Sequence, residues 1–488
     1  MLFNKKSIIY LYLLIFILIL TSILFLSNED LQIIAKYITL DKYQISNNVY
    51  RYIFIIFSLI ISSLFILISV RSKEFLITPT ILFFGLLVFL VLPGVILTSE
   101  DSINGEISAN SYIFGLLFFS LGVFFVTKLL RFNSYIEIGK FKSKKNKHKK
   151  NLNNTRISIF KVFMFIGILM SVLYILVSPR GTLIAIESLF DFFSSGNIDS
   201  AQGLVQDERV YRYVFGLSYL DLIYIYIVRL VLPIIIATLI FKLKKNTVIF
   251  LFILLFISVF GTGSRLLTAH LFLFFLIFYS VYNDLKVRSI IRLFIIIGFI
   301  LIFQTIVLGR LIGSVGYLES SLKALNTLLE RIFLTKGYVT SQVFYYFPDL
   351  FNFRLGQTII PTLFGTFSNS TPFSQEMFAL FADGSSGTAG PQAFGELYVN
   401  FGFSGVMIGS FLLGFIIQYI TIKLIRGKKH STYNSAIYSY ITLLFGLVGY
   451  SGLLAFKSYG GHILFIFYSV TALLLMIFKR DKILKPAL

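Results

Sequence analysis

Apolar segments of about twenty residues recur along almost the whole chain and are separated by polar loops. An α-helix rises about 1.5 Å per residue, so a helix of this length crosses the roughly 30 Å hydrocarbon core of a bilayer. Composition agrees, since 57% of the residues are hydrophobic and only 13% are charged, which excludes an ordinary soluble domain. The pattern predicts an all-α polytopic membrane protein with about twelve transmembrane helices in a single integral membrane domain, residues 1–488.

The spacing of the apolar segments sets the predicted spans. They are 8–26, 52–70, 75–97, 112–130, 157–177, 220–241, 247–261, 265–282, 293–313, 394–420, 435–456 and 463–478. Lys and Arg cluster in alternate loops, beginning with Lys5 and Lys6, so the positive-inside rule predicts that both termini are cytoplasmic. The net charge of +21 is therefore a topology signal, with attraction to anionic membrane lipids as a secondary effect. We predict no nucleic-acid partner.

Three loops are long. The basic loop 131–156 is predicted to be a solvated cytoplasmic linker. The loops 178–219 and 313–392 are predicted to be extracytoplasmic, each with a short helix, and the second carries Arg331, Lys336 and Arg354. A large outward loop with cations favours an anionic, membrane-attached substrate. The chain has no cysteine, which excludes disulfides and thiolate metal sites, and we predict no metal and no other cofactor.

Three arginines at or inside the spans are candidate anion contacts. Arg229 lies inside the sixth span, where it costs at least roughly 2.5–3.5 kcal/mol unless it faces a cavity or a partner. It is either functional, or half of a structural pair with a neighbouring helix, or it snorkels outward. Arg265 follows a Gly-Thr-Gly-Ser turn whose amides and guanidinium suit a phosphate, the alternative being an interfacial anchor. Arg310, at the outer end of the ninth span, would complete a cluster.

The tenth span carries a polar stripe. Four polar residues recur every four positions and share one helical face: Gln392, Glu396, Asn400 and Ser404. Three glycines lie on another face, which suits close packing against a neighbouring helix: Gly402, Gly405 and Gly409. Glu396 is predicted to be a general base or to orient an arginine, the alternative being a buried structural pair. His462, at the outer end of the last span, is a second candidate base or phosphate contact.

The sequence Gly-Glu-Leu-Tyr-Val-Asn-Phe-Gly-Phe-Ser-Gly at 395–405 resembles bacterial O-antigen or oligosaccharide repeat-unit polymerases, as do the polytopic plan, the late outward loop and the Gly-Ser-Arg turn. The resemblance implies a fold of the glycosyltransferase C class in the bacterial inner membrane. It also implies the reaction, in which growing glycan is moved from undecaprenyl diphosphate to an incoming lipid-linked oligosaccharide at the extracytoplasmic face. A chain-length regulator would be a possible partner.

The resemblance also implies roles for particular residues. The diphosphates would be held by four arginines: Arg229, Arg265, Arg310 and Arg354, the last of which fits an Arg-x10-Gly pattern with Gly365. Glu396 or His462 would be the base. The glycan would contact Tyr338, Tyr345, Tyr398 and Asn400. Two alternatives stay open, a flippase or transporter of lipid-linked oligosaccharide and an O-antigen ligase of the same fold.

Overall fold

The computed structural model describes fourteen segments and a few scattered residues of the chain. The described segments are 49–70, 77–98, 103–134, 136–138, 154–177, 226–260, 265–282, 335–347, 352–356, 358, 390–427, 432–453, 456 and 463–464. The predicted span 8–26, the loop 178–219 and nearly all of the span 293–313 lie outside them. Two compact units form, one from 1–140, 329–426 and 445–457, the other from 141–328, 427–444 and 458–488.

Regular structure in the described residues is entirely helical. In chain order the helices are α1 (Val49–Val70), α2 (Pro79–Leu86), α3 (Leu92–Thr98), α4 (Ile103–Leu129), α5 (Asn154–Val177), α6 (Leu232–Leu239), α7 (Lys245–Phe260), α8 (Arg265–Tyr282), α9 (Thr335–Tyr346), α10 (Ala393–Arg426) and α11 (Thr432–Ser451). Two described helices are long and apolar enough to cross a bilayer, Asn110–Leu129 within α4 and α10. The all-helical prediction is confirmed for the described residues, and the count of twelve spans stays a prediction.

Helices α4 and α10 form the centre of the first unit and lie parallel. Phe114 meets Phe403 near one end of the pair, with ring centroids 5.3 Å apart, and Arg426 donates to the Leu130 carbonyl at the other end. Glycine makes the close approach possible at the crossing. A Cβ at Gly122 would overlap the carbonyl oxygen of Phe411, and Gly414 stands in the same way against the backbone of Phe119.

Helix α2 runs antiparallel to this pair. Thr80, at its start, donates to Gln418 at 2.7 Å, and Gln418 donates to Thr127 near the end of α4 at 2.9 Å. The start of α2 therefore lies beside the C-terminal parts of α4 and α10. These relative directions agree with the alternation that the charge pattern predicts, while the compartment that each end faces stays a prediction.

Two helical stretches contain a π-helical turn placed just before a proline. The turns are Leu87–Val91 and Ile227–Val231, followed by Pro93 and Pro233. Proline has no amide hydrogen and its ring crowds the preceding turn, so a wider turn absorbs the disruption. Arg229 lies within the second of these turns.

The second unit has its own apolar core. Leu232 and Ile236 of α6 pack with Leu251 and Leu255 of α7 and with Leu271 of α8. His270 of α8 is buried and its ring meets that of Tyr440 edge-on at 5.5 Å, as expected of a packed polar residue.

Candidate functional site

One end of the first unit gathers polar side chains. We call it the entry end, because α10 begins there, and define it by Gly94, Gly337, Gln392 and Gly452. Helix α9 lies over it, and a Cβ at Gly337 would overlap the backbone of Gly94 in the N-terminal half of α3. The mutual absence of side chains at Gly94 and Gly337 lets α9 lie directly on α3. The first turn of α9 is thereby placed beside the segment that leads into α10.

Glu396 is buried at the entry end, with only 4% of its surface exposed. Its Oε2 accepts a hydrogen bond from the backbone amide of Leu453 at 2.7 Å. The amide points there because Gly452, just after α11, adopts the left-handed conformation with φ of 87°. A Cβ at Gly452 would lie 2.6 Å from the Pro391 carbonyl oxygen and 3.0 Å from Glu396 Oε2, so glycine is required on both grounds.

Gln392 caps the start of α10. Its Oε1 accepts a hydrogen bond from Phe394 N at 2.6 Å, which satisfies one of the orphan amides of the first turn. Its own backbone amide donates to Thr340 Oγ1 of α9 at 3.4 Å. The side chain is fully buried, and Nε2 has no hydrogen-bond partner among the described residues. The carbonyl oxygen of the Gln392 side chain is thus fixed, whereas its buried amide nitrogen is unpaired among the described residues.

Lys336 stands beside Gln392 and was given no individual role by the sequence. Its Nζ donates to the Gly390 carbonyl at 3.2 Å and lies 5.9 Å from the centre of the Tyr450 ring. Partial burial lowers the pKa of the Lys336 ammonium to about 8, because desolvation disfavours the charged form. In the sequence, the one indication of a role for Lys336 was its positive charge in a segment with few charges, four residues before Thr340. We call Lys336, Gln392 and Glu396 the polar cluster.

Helix α10 reverses direction sharply at Gly402, whose φ of 64° and ψ of −155° are not helical. The carbonyl oxygen of Leu397 lies 2.7 Å from the position of a Gly405 Cβ, although eight residues of straight helix would separate them by about 12 Å. The segment 393–401 therefore folds back on the segment 403–426. The prediction of one straight span at 394–420 is wrong at this point. The later segment is still about 36 Å long, enough to cross a bilayer.

A short turn at 352–358 caps the carbonyl end of segment 393–401. Because α10 breaks at Gly402, the carbonyls of Val399 and Asn400 lose their helical donors, and they accept instead from Arg354 N at 2.9 Å and Leu355 N at 3.0 Å. The Asn400 side chain completes the cap. Its Oδ1 accepts from Gly356 N, and its Nδ2 donates to the Glu396 carbonyl and to Thr358 Oγ1. Asn400 was expected to contact glycan. The hydrogen bonds that its side chain makes are instead to Gly356, Thr358 and Glu396 of the protein itself.

The break also changes the roles expected for the polar stripe and the glycines. Gln392, Glu396 and Asn400 are buried as a stripe, but Ser404 lies beyond the break and is exposed. Gly405 and Gly409 were expected to meet another helix. They meet Leu397 of the same helix across the fold, whereas Gly414 makes the contact with α4. The periodic argument fails at Gly402 because it assumes a continuous helix.

The remaining candidate residues are described unevenly. Tyr398 is buried, its hydroxyl donates to the Phe347 carbonyl at 3.2 Å, and its ring meets Phe344, so it packs inside the site. Tyr338 and Arg354 are partly exposed. For Tyr345, Arg229 and Arg265 only the helical backbone is described, and Arg310 and His462 lie outside the described residues. For Arg265, the role of Glu396 in orienting an arginine stays a prediction, because the two residues belong to different units.

The chain matches none of the family models, curated proteins or solved structures with which it was compared.

Proposed function

We propose that the protein is a membrane glycosyltransferase that polymerises undecaprenyl-diphosphate-linked oligosaccharide repeat units at the extracytoplasmic face of the bacterial inner membrane. In this proposal the chain has about twelve spans, a glycosyltransferase C-like fold and cytoplasmic termini, and the entry end faces outward. Membrane lipids surround it, and the partners are the lipid-linked oligosaccharide and a chain-length regulator.

The observation that carries the proposal is the burial of a carboxylate, a lysine and an amide unpaired among the described residues, at one end of the first unit, where apolar helices end. Glu396 is almost wholly buried, Lys336 is partly buried, and Gln392 has an unused donor. Burying ionisable groups in a protein of this composition costs free energy, and such groups mark functional sites in membranes. The outward loop 313–392 contributes α9, which brings Lys336 to the cluster.

The chemistry requires a proton acceptor and cations. An acceptor sugar hydroxyl attacks the anomeric carbon of the donor, the bond from that carbon to the phosphate oxygen breaks, and undecaprenyl diphosphate leaves. The hydroxyl proton passes to a base, for which we propose Glu396, with His462 as the alternative. Arg265, Arg310, Arg229 and Arg354 would stabilise the negative charge on the departing diphosphate. The energy for the bond resides in the donor, so no further cofactor takes part.

The test is the surface-glycan ladder of a strain that lacks the gene and carries a plasmid copy. Glu396→Gln keeps an oxygen that accepts the Leu453 amide but removes the base. General-base catalysis contributes about 10²–10⁴-fold, so we expect single capped units in place of the ladder. The matched control is Glu137→Gln, the same substitution at the far end of α10, where Glu137 pairs with Arg426 at 2.6 Å. A full ladder with Glu396→Gln would exclude Glu396 as the base.

A transporter of lipid-linked oligosaccharide is the second candidate, because the reversal of α10 at Gly402 resembles the broken helices that form transporter sites. The same strain separates the two functions. Loss of all surface glycan, with lipid-linked units retained inside, would identify a transporter. Loss of the ladder with single units exported would support the polymerase, and an intact ladder lacking attachment to its final lipid would identify a ligase.

A further inference from the structure

The polar cluster contains two hydrogen-bond donors that the described residues leave open. The Lys336 ammonium has three N–H bonds and donates one hydrogen bond within the described structure, to Gly390. Gln392 Nε2 has two N–H bonds and donates none to the described residues, although its side chain is fully buried. A buried donor without a partner costs about as much as a lost hydrogen bond, so an acceptor is expected at this position.

The two donors lie on segments that are hydrogen-bonded to each other. Thr340 donates to the Lys336 carbonyl at 2.7 Å and accepts from the Gln392 amide, while Lys336 Nζ reaches Gly390, two residues before Gln392. Gln392 also caps the first turn of α10, where the helix dipole favours negative charge. Ammonium, amide and helix N-terminus all select an oxygen acceptor that carries negative charge.

Charge balance favours a monoanion over a more highly charged ligand, because the Glu396 carboxylate already offsets the charge of Lys336 in the polar cluster. The cluster supplies one positive charge, that of Lys336, and the Glu396 carboxylate lies one helical turn beyond Gln392, with its Oε2 on Leu453 N. A diphosphate, with at least two negative charges, would leave charge unbalanced in a partly buried site. Carboxylates and phosphodiesters each offer two oxygens and one charge, which match one ammonium and one amide.

We propose that Lys336 and Gln392 form a subsite for a monoanionic oxyanion, the carboxylate of an acidic sugar or the phosphodiester of a phospholipid headgroup. The subsite includes none of the arginines proposed to hold the diphosphates. It binds without bond formation or cleavage, so it stands whether or not the protein is a polymerase.

The chain offers a clean reporter for this subsite. It contains no tryptophan, so Tyr450→Trp places the sole indole near Lys336 Nζ, which lies 5.9 Å from the native ring centre. The protein is purified in dodecyl maltoside, which carries no anion, and its fold is checked by circular dichroism. The probes are glucuronate, with glucose as its uncharged counterpart, and dihexanoyl phosphatidylglycerol, with dihexanoylglycerol as its counterpart. Ionic strength is held constant, because charged contacts are screened by salt.

We expect a saturable change of indole fluorescence with a charged probe and none with its counterpart. Lys336→Gln should weaken binding about ten-fold or more, since hydrogen bonds to charged groups are the stronger ones. Gln392→Glu keeps an oxygen for the Phe394 cap but replaces the donor with a repelling charge, and should weaken it similarly. Lys423→Gln is the matched control, because Lys423 also lies over a tyrosine ring, at 5.3 Å, but near the far end of α10.

Each pattern of fluorescence response either supports the proposed subsite or overturns it. Response to glucuronate alone assigns an acidic sugar, response to the phospholipid alone assigns a headgroup, and response to both establishes recognition of the oxyanion itself. A folded reporter that answers to neither charged probe, or answers equally to glucose, overturns the proposal. So does unchanged affinity in folded Lys336→Gln, and if that variant does not fold, unchanged affinity in Gln392→Glu has the same force.

Discussion

Gly402→Ala tests whether the reversal of α10 is built into the sequence. The backbone at Gly402, with φ of 64° and ψ of −155°, lies in a region that is essentially restricted to glycine, and other residues pay about 1–3 kcal/mol there. Alanine also favours a continuous helix over glycine by about 1 kcal/mol. In addition, the new Cβ would lie 3.0 Å from the Phe353 ring. The strained backbone alone is expected to lower the free energy of unfolding by about 1–3 kcal/mol.

The assay is reversible unfolding by sodium dodecyl sulfate, followed through the fluorescence of the 28 tyrosines in a protein without tryptophan. The control is Gly85→Ala within α2, where a Cβ meets nothing within 4 Å. Because Gly85 is helical and unobstructed, alanine should stabilise by about 0.5–1 kcal/mol. If Gly402→Ala is as stable as the unmodified protein, or gains stability as Gly85→Ala does, the reversal is not enforced at this glycine and our reading of the entry end fails.

Three further predictions follow from the same geometry. Leu355 is 75% exposed on the turn that caps Asn400, and the chain has no native cysteine, so Leu355→Cys would introduce a single thiol. We expect this thiol to react with an impermeant maleimide added to intact cells. Labelling only after lysis would reverse the proposed orientation. Binding of the charged probe should weaken as pH rises through about 8, because Lys336 loses its charge, and Lys336→Arg should abolish this pH dependence. Glu137→Gln should lower the free energy of unfolding by no more than about 1 kcal/mol, because its pair with Arg426 is partly exposed; a loss several times larger would contradict a surface pair.

Helix positions in this chain could be predicted from the sequence, because apolar length and charge placement are local signals. The predicted spans 157–177 and 265–282 correspond to α5 and α8. The antiparallel relation of α2 to α4 and α10 also agrees with the alternation of basic loops. Hydropathy is averaged over a window of residues, so it does not reveal the unusual backbone conformation of a single residue such as Gly402.

The details of the site were less predictable, because they depend on contacts between distant parts of the chain. Spacing predicted that Glu396 and Asn400 share one helical face, but it could not show that the Asn400 side chain would hydrogen-bond to a turn more than forty residues earlier. The role of Lys336 depends on Gly337 resting against Gly94, and no periodicity connects those two positions. Gly402 was predicted to serve packing, whereas its backbone conformation is what matters.

Buried polar groups at the entry end divide into two kinds, and the division bears on where the substrate would bind. Asn400 has both ends of its amide occupied, and Glu396 receives a backbone amide made available by Gly452. Lys336 and Gln392 keep donors that the described residues do not occupy. In a bilayer, where water cannot satisfy such donors, an open ammonium and amide would be too costly to keep in contact with lipid. They are tolerable beside water or against a ligand, so we expect the site to open on the side of the partly exposed Lys336, with the buried Glu396 as the deeper group.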